Sequence, residues 1–243
     1  MRKILFALAL AVVATACHNN EEQSVQMGKI DIIAATRSEV GNATSSNSIF
    51  LSSAPSAKDL KVEIEGNGEV LRWDTFAEFE KAIEEGLLFT SAPYTITLSH
   101  GEKGVEGWSK PYFEGKTSVE VPGYELTVKA EVEVVLANSI VAVATNDNFK
   151  GYFPQATFKI NGIEWDSSKT EHLFMNAGEV TITCDAVSQR GSTSHFSKVV
   201  ALKPTTRHTV LFELTAGNAS VTISFDDKIV ATEELEFDLN ENA

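Results

Sequence analysis

Cysteine is scarce in this chain: among 243 residues only Cys17 and Cys184 occur. A disulfide framework needs more, and if Cys17 is modified then Cys184 has no partner at all. Stability must then come from apolar burial, and 43% hydrophobic residues over this length supply a sizeable core. Long apolar runs are also missing. The run from Ile4 to Ala16 falls short of the roughly 20 residues that a membrane-spanning helix needs. Positive charge is the third scarcity, with 20 Lys and Arg against 34 Asp and Glu and a net charge of −14. Nucleic acid and anionic lipid surfaces would repel such a chain, so neither is expected as a partner.

Catalytic patterns are lacking too. There is no nucleophile elbow, no His-Glu-His zinc spacing and no phosphate-cradling loop. Gly101, Gly104 and Gly107 are spaced like the last, but Glu102 and Glu106 between them would repel phosphate. His100, His172, His195 and His208 are scattered without ligand spacing. The acidic residues Asp226, Asp227, Glu233 and Glu234 lack the dense oxygen spacing of a calcium loop. The expectation is a protein that is not an enzyme, with no catalytic residue, no metal and no cofactor.

What is present begins at the N-terminus. Arg2 and Lys3 precede the apolar run, and the small residues Ala14, Thr15 and Ala16 precede Cys17. This is the anatomy of a bacterial export signal. Its end resembles a lipobox, with Ala14 where Leu is usual, at which the leader is cut and the new N-terminal cysteine is acylated. Residues 1–16 are therefore read as a signal peptide, Cys17 as the lipidation site and 17–27 as a polar tether. Cleavage removes Arg2 and Lys3 and leaves the body two charges more negative. Glu21 and Glu22 behind the anchor resemble the signal that sends some Bacteroidetes lipoproteins to the outer face of the outer membrane. The expected location is that membrane, lipid-anchored and facing the exterior.

Beyond the tether the pattern is period two almost throughout. KIDIIA (29–34) reads as a first strand, and TRSEVGNATSSNS after it as a flexible loop. Leu60, Val62 and Ile64 alternate with charged residues, and a GNG turn joins them to Val70–Trp73. One amphipathic helix follows, with Thr75 and Glu78 at capping-box spacing, Phe76, Phe79, Ala82 and Ile83 on one face, and Gly86 as its stop. Tyr94, Ile96 and Leu98 alternate next, then a glycine-spaced loop, then Pro122-Gly123, which suits a type II turn. Leu126, Val128, Ala130, Val132 and Val134 form the longest alternating run. Asn138 and Ser139 break it. Strands are then expected at 140–144, either side of Asn161-Gly162, and at 180–186, 199–202, 209–214, 221–225 and 235–239, with Cys184 as a core thiol. The reading is mainly β: two tandem β-sandwich domains, 28–135 and 136–243, with one short amphipathic helix in the first.

Several stretches resemble a family of Bacteroidetes surface lipoproteins known only as a domain of unknown function and related to fimbrillin-like proteins. They are APYTITLSHG, KPYFEG with SVEVPGYELTVKAEV, and above all LANSIVAVATNDNFKGYFPQATFKI. The resemblance runs from about Tyr94 to Ile160 and more thinly to the C-terminus. It implies transthyretin-like or immunoglobulin-like sandwich domains and brings no activity or ligand with it. Fimbrillin-like relatives include pilus subunits that polymerise by strand exchange after a protease cuts at a basic residue. Arg37 is where such a cut would fall here, and it would remove the first strand.

Exposed aromatics point to a ligand. Trp108 and Tyr112 lie in the glycine-spaced loop and Trp165 follows a hairpin turn, so these three are the expected glycan-contacting side chains. The functional expectation is a surface lipoprotein with a structural or adhesive role, as an accessory or anchor subunit of a fimbria-like assembly. The alternative is a surface glycan-binding lipoprotein. The partners implied are the membrane through the lipid, and other surface or fimbrial proteins or glycans.

Overall fold

The alternation read from the sequence becomes strand after strand in the computed structural model, which describes residues 26–122, 124–215 and 220–235. The leader, Cys17 and most of the tether lie outside the described residues. Chain order begins with β1 (Met27–Thr36), β2 (Glu39–Asn42), β3 (Ser45–Phe50), β4 (Lys61–Gly66) and β5 (Glu69–Trp73), then helix α1 (Phe76–Glu84). It continues through β6 (Phe89–Thr90), β7 (Pro93–His100), β8 (Gly107–Trp108), β9 (Phe113–Glu120), β10 (Thr127–Leu136) and β11 (Ser139–Thr145) to helix α2 (Asp147–Tyr152). The last strands are β12 (Gln155–Ile160), β13 (Ile163–Trp165), β14 (Leu173–Met175), β15 (Gly178–Val187), β16 (Thr193–Leu202), β17 (Thr206–Leu214), β18 (Ser220–Phe225) and β19 (Lys228–Glu234).

Three sheets result. The first has the order β5-β4-β7-β9-β10-β1-β6, and among the described residues its only parallel pair is β1 on β10, in register from Lys29 opposite Thr127 to Thr36 opposite Val134. The second runs β19-β18-β17-β11-β14-β8, with β11 parallel to β17 and the β2–β3 hairpin attached to the start of β17. The third is the antiparallel set β13-β12-β15-β16. The architecture is thus mainly β with several sheets, and β2–β3 and β8 are hydrogen-bonded into the sheet built chiefly from residues beyond 136.

Local chemistry accounts for the joints. Thr75 caps α1 by accepting from the Glu78 amide while the Glu78 carboxylate accepts from the Asp74 amide, much as the spacing predicts. The helix carries the chain from β5 at one edge of the first sheet to β6 at the other, and it buries Phe76 and Phe79, the latter edge-on to Trp73. The Asn67-Gly68 and Asn161-Gly162 turns hold positive φ at both residues, as two-residue hairpins require. At the Pro122-Gly123 turn, Gly123 lies outside the described residues, and Tyr124 and Glu125 carry positive φ.

Three differences from the sequence reading stand out. Residues 36–48, expected to be a flexible loop, largely form the β2–β3 hairpin, because main-chain pairing to Thr206 and Arg207 needs no apolar side chains. Strand β19 at Lys228–Glu234 is an element that the sequence reading did not include, and the expected strand at 235–239 lies outside the described residues except for Leu235. Helix α2, capped by Asn146, has too few turns to show a period.

The buried side chains fall into two cores. One holds Ile30, Ile32, Val62, Ile64, Ile96, Leu98, Val132 and Val134; the other holds Phe149, Ile182, Cys184, Phe196, Val210 and Phe212. They meet at β11, where Ile140 belongs to the first and Val141 to the second. Alternation across one strand therefore joins the two halves.

Candidate functional site

The junction is keyed by Asn138, which is 2% exposed. Its Oδ1 accepts from the Tyr112 amide at 3.3 Å and its Nδ2 donates to the Lys110 carbonyl at 3.0 Å. Its own carbonyl accepts from the Thr205 amide at 3.1 Å. Ser139 Oγ donates to the Lys203 carbonyl and Thr205 Oγ1 to that of Leu136. The Asn-Ser break in the sequence is thus the polar clasp between the β7–β9 loop and the β16–β17 turn.

His208 supports the same turn. Its Nε2 accepts from the Lys203 amide at 2.9 Å and its Nδ1 faces Asp226 Oδ2 at 2.6 Å, which assigns the neutral tautomer with the proton on Nδ1. Asp226 also accepts from the Thr209 amide. Its carboxylate is therefore engaged within the protein. Glu233 and Glu234 stand at the far end of β19, roughly 20 Å along the strand from the Asp226-Asp227 turn. Among the described residues no group of three or more His, Cys, Asp or Glu is placed to hold a metal ion.

Arg37 lies directly after β1. Its amide donates to the Val134 carbonyl at 2.9 Å, and its side chain is half exposed, with a loose 3.8 Å contact to Glu133. A surface ion pair of that kind contributes little. The guanidinium is open to solvent, between a strand of the first sheet and a hairpin of the second.

Of the three aromatic side chains singled out by sequence, the structure brings two together. Trp108 and Trp165 pack with ring centroids 5.1 Å apart, Trp108 Nε1 donates to the Glu164 carbonyl, and the Lys169 ammonium sits 5.3 Å from the Trp108 ring. Both indoles rest against the second core and are partly exposed. Tyr112 is apart from them and 8% exposed. Its hydroxyl donates to Glu114, which also pairs with Lys103 at 2.9 Å. Burial, with the Glu114 hydrogen bond and charge, drives the phenol far above its usual range. Burial also pushes the Glu114 carboxyl upward, but hydrogen bonds from Lys103 and Tyr112 outweigh it and hold it below the carboxylate norm. Tyr112 is a wedge in this network, and its ring is covered.

Sequence reasoning gave no sign of a cleft of mixed polar and apolar lining between the β7–β9 loop and residues 170–174, because its walls are distant in the chain. Ser109 joins them by donating its amide to the His172 carbonyl at 3.1 Å. Partial desolvation and the neighbouring Arg207 charge lower the His172 pKa, so its imidazole, though solvent-exposed, is neutral at pH 7. Among the described residues no helix is long and apolar enough to cross a membrane.

Comparison with known proteins adds the following. The model of a family described as "Domain of unknown function (DUF4493)" matches residues 26–241. No curated protein matches the chain. Among solved structures, a proposed polysaccharide-binding protein of Bacteroides thetaiotaomicron is 8% identical with a TM-score of 0.43, covering 86% of this chain and 98% of its own. A fimbrial assembly protein of Parabacteroides distasonis is 7% identical with a TM-score of 0.44, covering 73% and 91%. A proposed cell adhesion protein of Bacteroides ovatus is 12% identical with a TM-score of 0.35, covering 86% and 98%.

Proposed function

We propose a function from the premise that the chain belongs to the DUF4493 family: it is a non-enzymatic, lipid-anchored surface protein with a structural or adhesive role, acting as an accessory or anchor subunit of a fimbria-like assembly. The leader and lipobox-like Cys17 support export and acylation. With Cys17 acylated, the body of two sandwich units, 28–135 and 136–243, stands on the outer membrane facing outward. The observation that carries the assembly role is β1. It is paired along its length to β10, supplies Ile30 and Ile32 to the first core, and is followed at once by the exposed Arg37.

A cut after Arg37 would free β1 and leave a strand-shaped slot beside β10, floored by Ala130, Val132 and Val134. A partner's strand would then gain both main-chain hydrogen bonds and apolar pockets at alternate positions. Uncut, the protein stays a permanent anchor. We favour the uncut form, since a two-residue link leaves a protease little slack on which to act. Mass spectrometry of the N-terminus on intact cells decides it. An acylated Cys17 is expected; a start at Ser38 would make the protein a trimmed subunit, and an unacylated, cell-internal chain would overturn the reading.

A second reading is surface glycan capture, for which the partly exposed Trp108–Trp165 pair speaks. Loss of glycan binding in Trp108→Ala and Trp165→Ala would support it, and unchanged binding would remove those indoles from it.

A further inference from the structure

Strand β8 ends at Trp108, and the residue after it faces a different way. Trp108 turns toward the second core, while Ser109 beside it lines a cleft of about 640 Å³. The opposite wall is the segment from Thr170 to His172, and Phe174 and Pro111 give it an apolar surface.

We infer that this cleft binds a short neutral oligosaccharide. The volume lies within the range of small-ligand sites. Its lining combines hydroxyls, two imidazoles, the Glu102 and Glu171 carboxylates and the Lys110 ammonium. An apolar ligand would leave these groups unpaired wherever it excluded water from them. A polyanion would meet two carboxylates on a chain of net charge −14. A neutral sugar offers hydroxyls that donate and accept, and a C–H face for Pro111 and Phe174. The neutral His172 ring likewise donates at one nitrogen and accepts at the other.

The walls are fixed before any ligand arrives. Gly101 has φ +90°, and a side chain there would meet the Pro111 carbonyl at 2.3 Å. Asn138 holds the Lys110 carbonyl, and the His100 ring lies 3.3 Å from the Asp59 carbonyl. Yet Glu102, Lys110 and Glu171 have no ion-pair partner among the described residues. With the backbone held, binding has to order these side chains but no loop. This deepens the surface-binding reading, and rests on it only for where the ligand is met.

The test is NMR titration of the whole chain, with its leader removed and Cys17 replaced by Ser. The probes are neutral gluco-, galacto- and mannotrioses, with a sulfated trisaccharide and an acidic hexapeptide beside them. At least one neutral trisaccharide is expected to shift His100 and His172 ring signals. Lys110→Ala, Glu171→Ala and His172→Gln should each weaken it about tenfold, and Lys228→Ala, exposed on β19 at the opposite end of the second sheet from β8, should not. All three altered side chains are exposed, so an unchanged unfolding midpoint verifies the fold. No binding by any neutral probe, tighter binding of the sulfated sugar or the peptide, or unaltered binding in the cleft variants would overturn the inference. Failure here with an acylated, surface-exposed chain leaves the surface role intact. An internal chain that still binds sugar fails that role alone.

Discussion

Asn138 and Cys184 show how differently two buried side chains can be written in a sequence. Cys184 shares a face with Val180, Ile182 and Ala186, so period two alone placed it in the core, where it is fully buried. Burial pushes its thiol up to about 12, from near 9 in an unfolded chain. Folding therefore favours the protonated thiol. That contribution is fully present below about pH 9 and is lost as the pH climbs from there to about 12. With Cys17 replaced by Ser, a thiol reagent at pH 8 is expected to label Cys184 only as fast as the chain opens. Labelling in the native state at the rate of a free thiol would contradict this burial. Asn138 carries no such pattern, since what it holds lies 26 and 28 residues away. Asn138→Leu should cost about 1–3 kcal/mol by leaving the Tyr112 amide and Lys110 carbonyl unpaired in the junction. Urea denaturation measures it, and a change within error would show that water replaces the clasp.

Among the elements, strands with strong alternation emerged where the sequence put them. β7 and β15 bury the residues that the alternation marked, and β10 buries Ala130, Val132 and Val134, while Val128 is partly covered and Leu126, just before the strand, is exposed. Helix α1 was legible for a different reason, because cap, apolar stripe and stop agreed. The β2–β3 hairpin was not legible, since its stability comes from main-chain pairing to β17 and to itself. The close approach of β9 and β10 also escaped detection. A side chain at Gly115 would stand 2.3 Å from the Glu133 carbonyl, so glycine alone permits the contact. Gly115→Ala is expected to destabilise the first sheet by about 1–3 kcal/mol as the strands are forced apart. Thr75→Ala, which removes only the α1 cap, should cost about 1 kcal/mol. Thermal unfolding of both variants gives the comparison, and an equal or reversed order would count against the glycine argument.

On the scale of the whole molecule the question is how independent the two halves are. Two cores favour two units, but β11 contributes to both, and β2–β3 and β8 complete the second sheet from earlier in the chain. A fragment of residues 136–243 should therefore unfold at a distinctly lower urea concentration than the same residues in the full chain. Equal midpoints would show that the early strands add nothing to the second unit. Of the candidate sites, the sequence revealed the aromatic residues, because tryptophan and tyrosine in a glycine-spaced loop are conspicuous. It did not reveal that Tyr112 is covered, nor that Ser109 and His172 join across a cleft, since both depend on which segments meet.

Local chemistry, then, was decided by the sequence: the β character, the α1 cap and the inward faces of the long strands. Each depends on residues within a few positions of one another, where backbone geometry and apolar period leave little choice. Tertiary structure alone decided the parallel seat of β1 on β10, the sharing of β11 between two cores, and the cleft beside β8. Those depend on pairings between distant segments, which no local pattern encodes, because main-chain hydrogen bonds can join any two strands that the cores bring side by side.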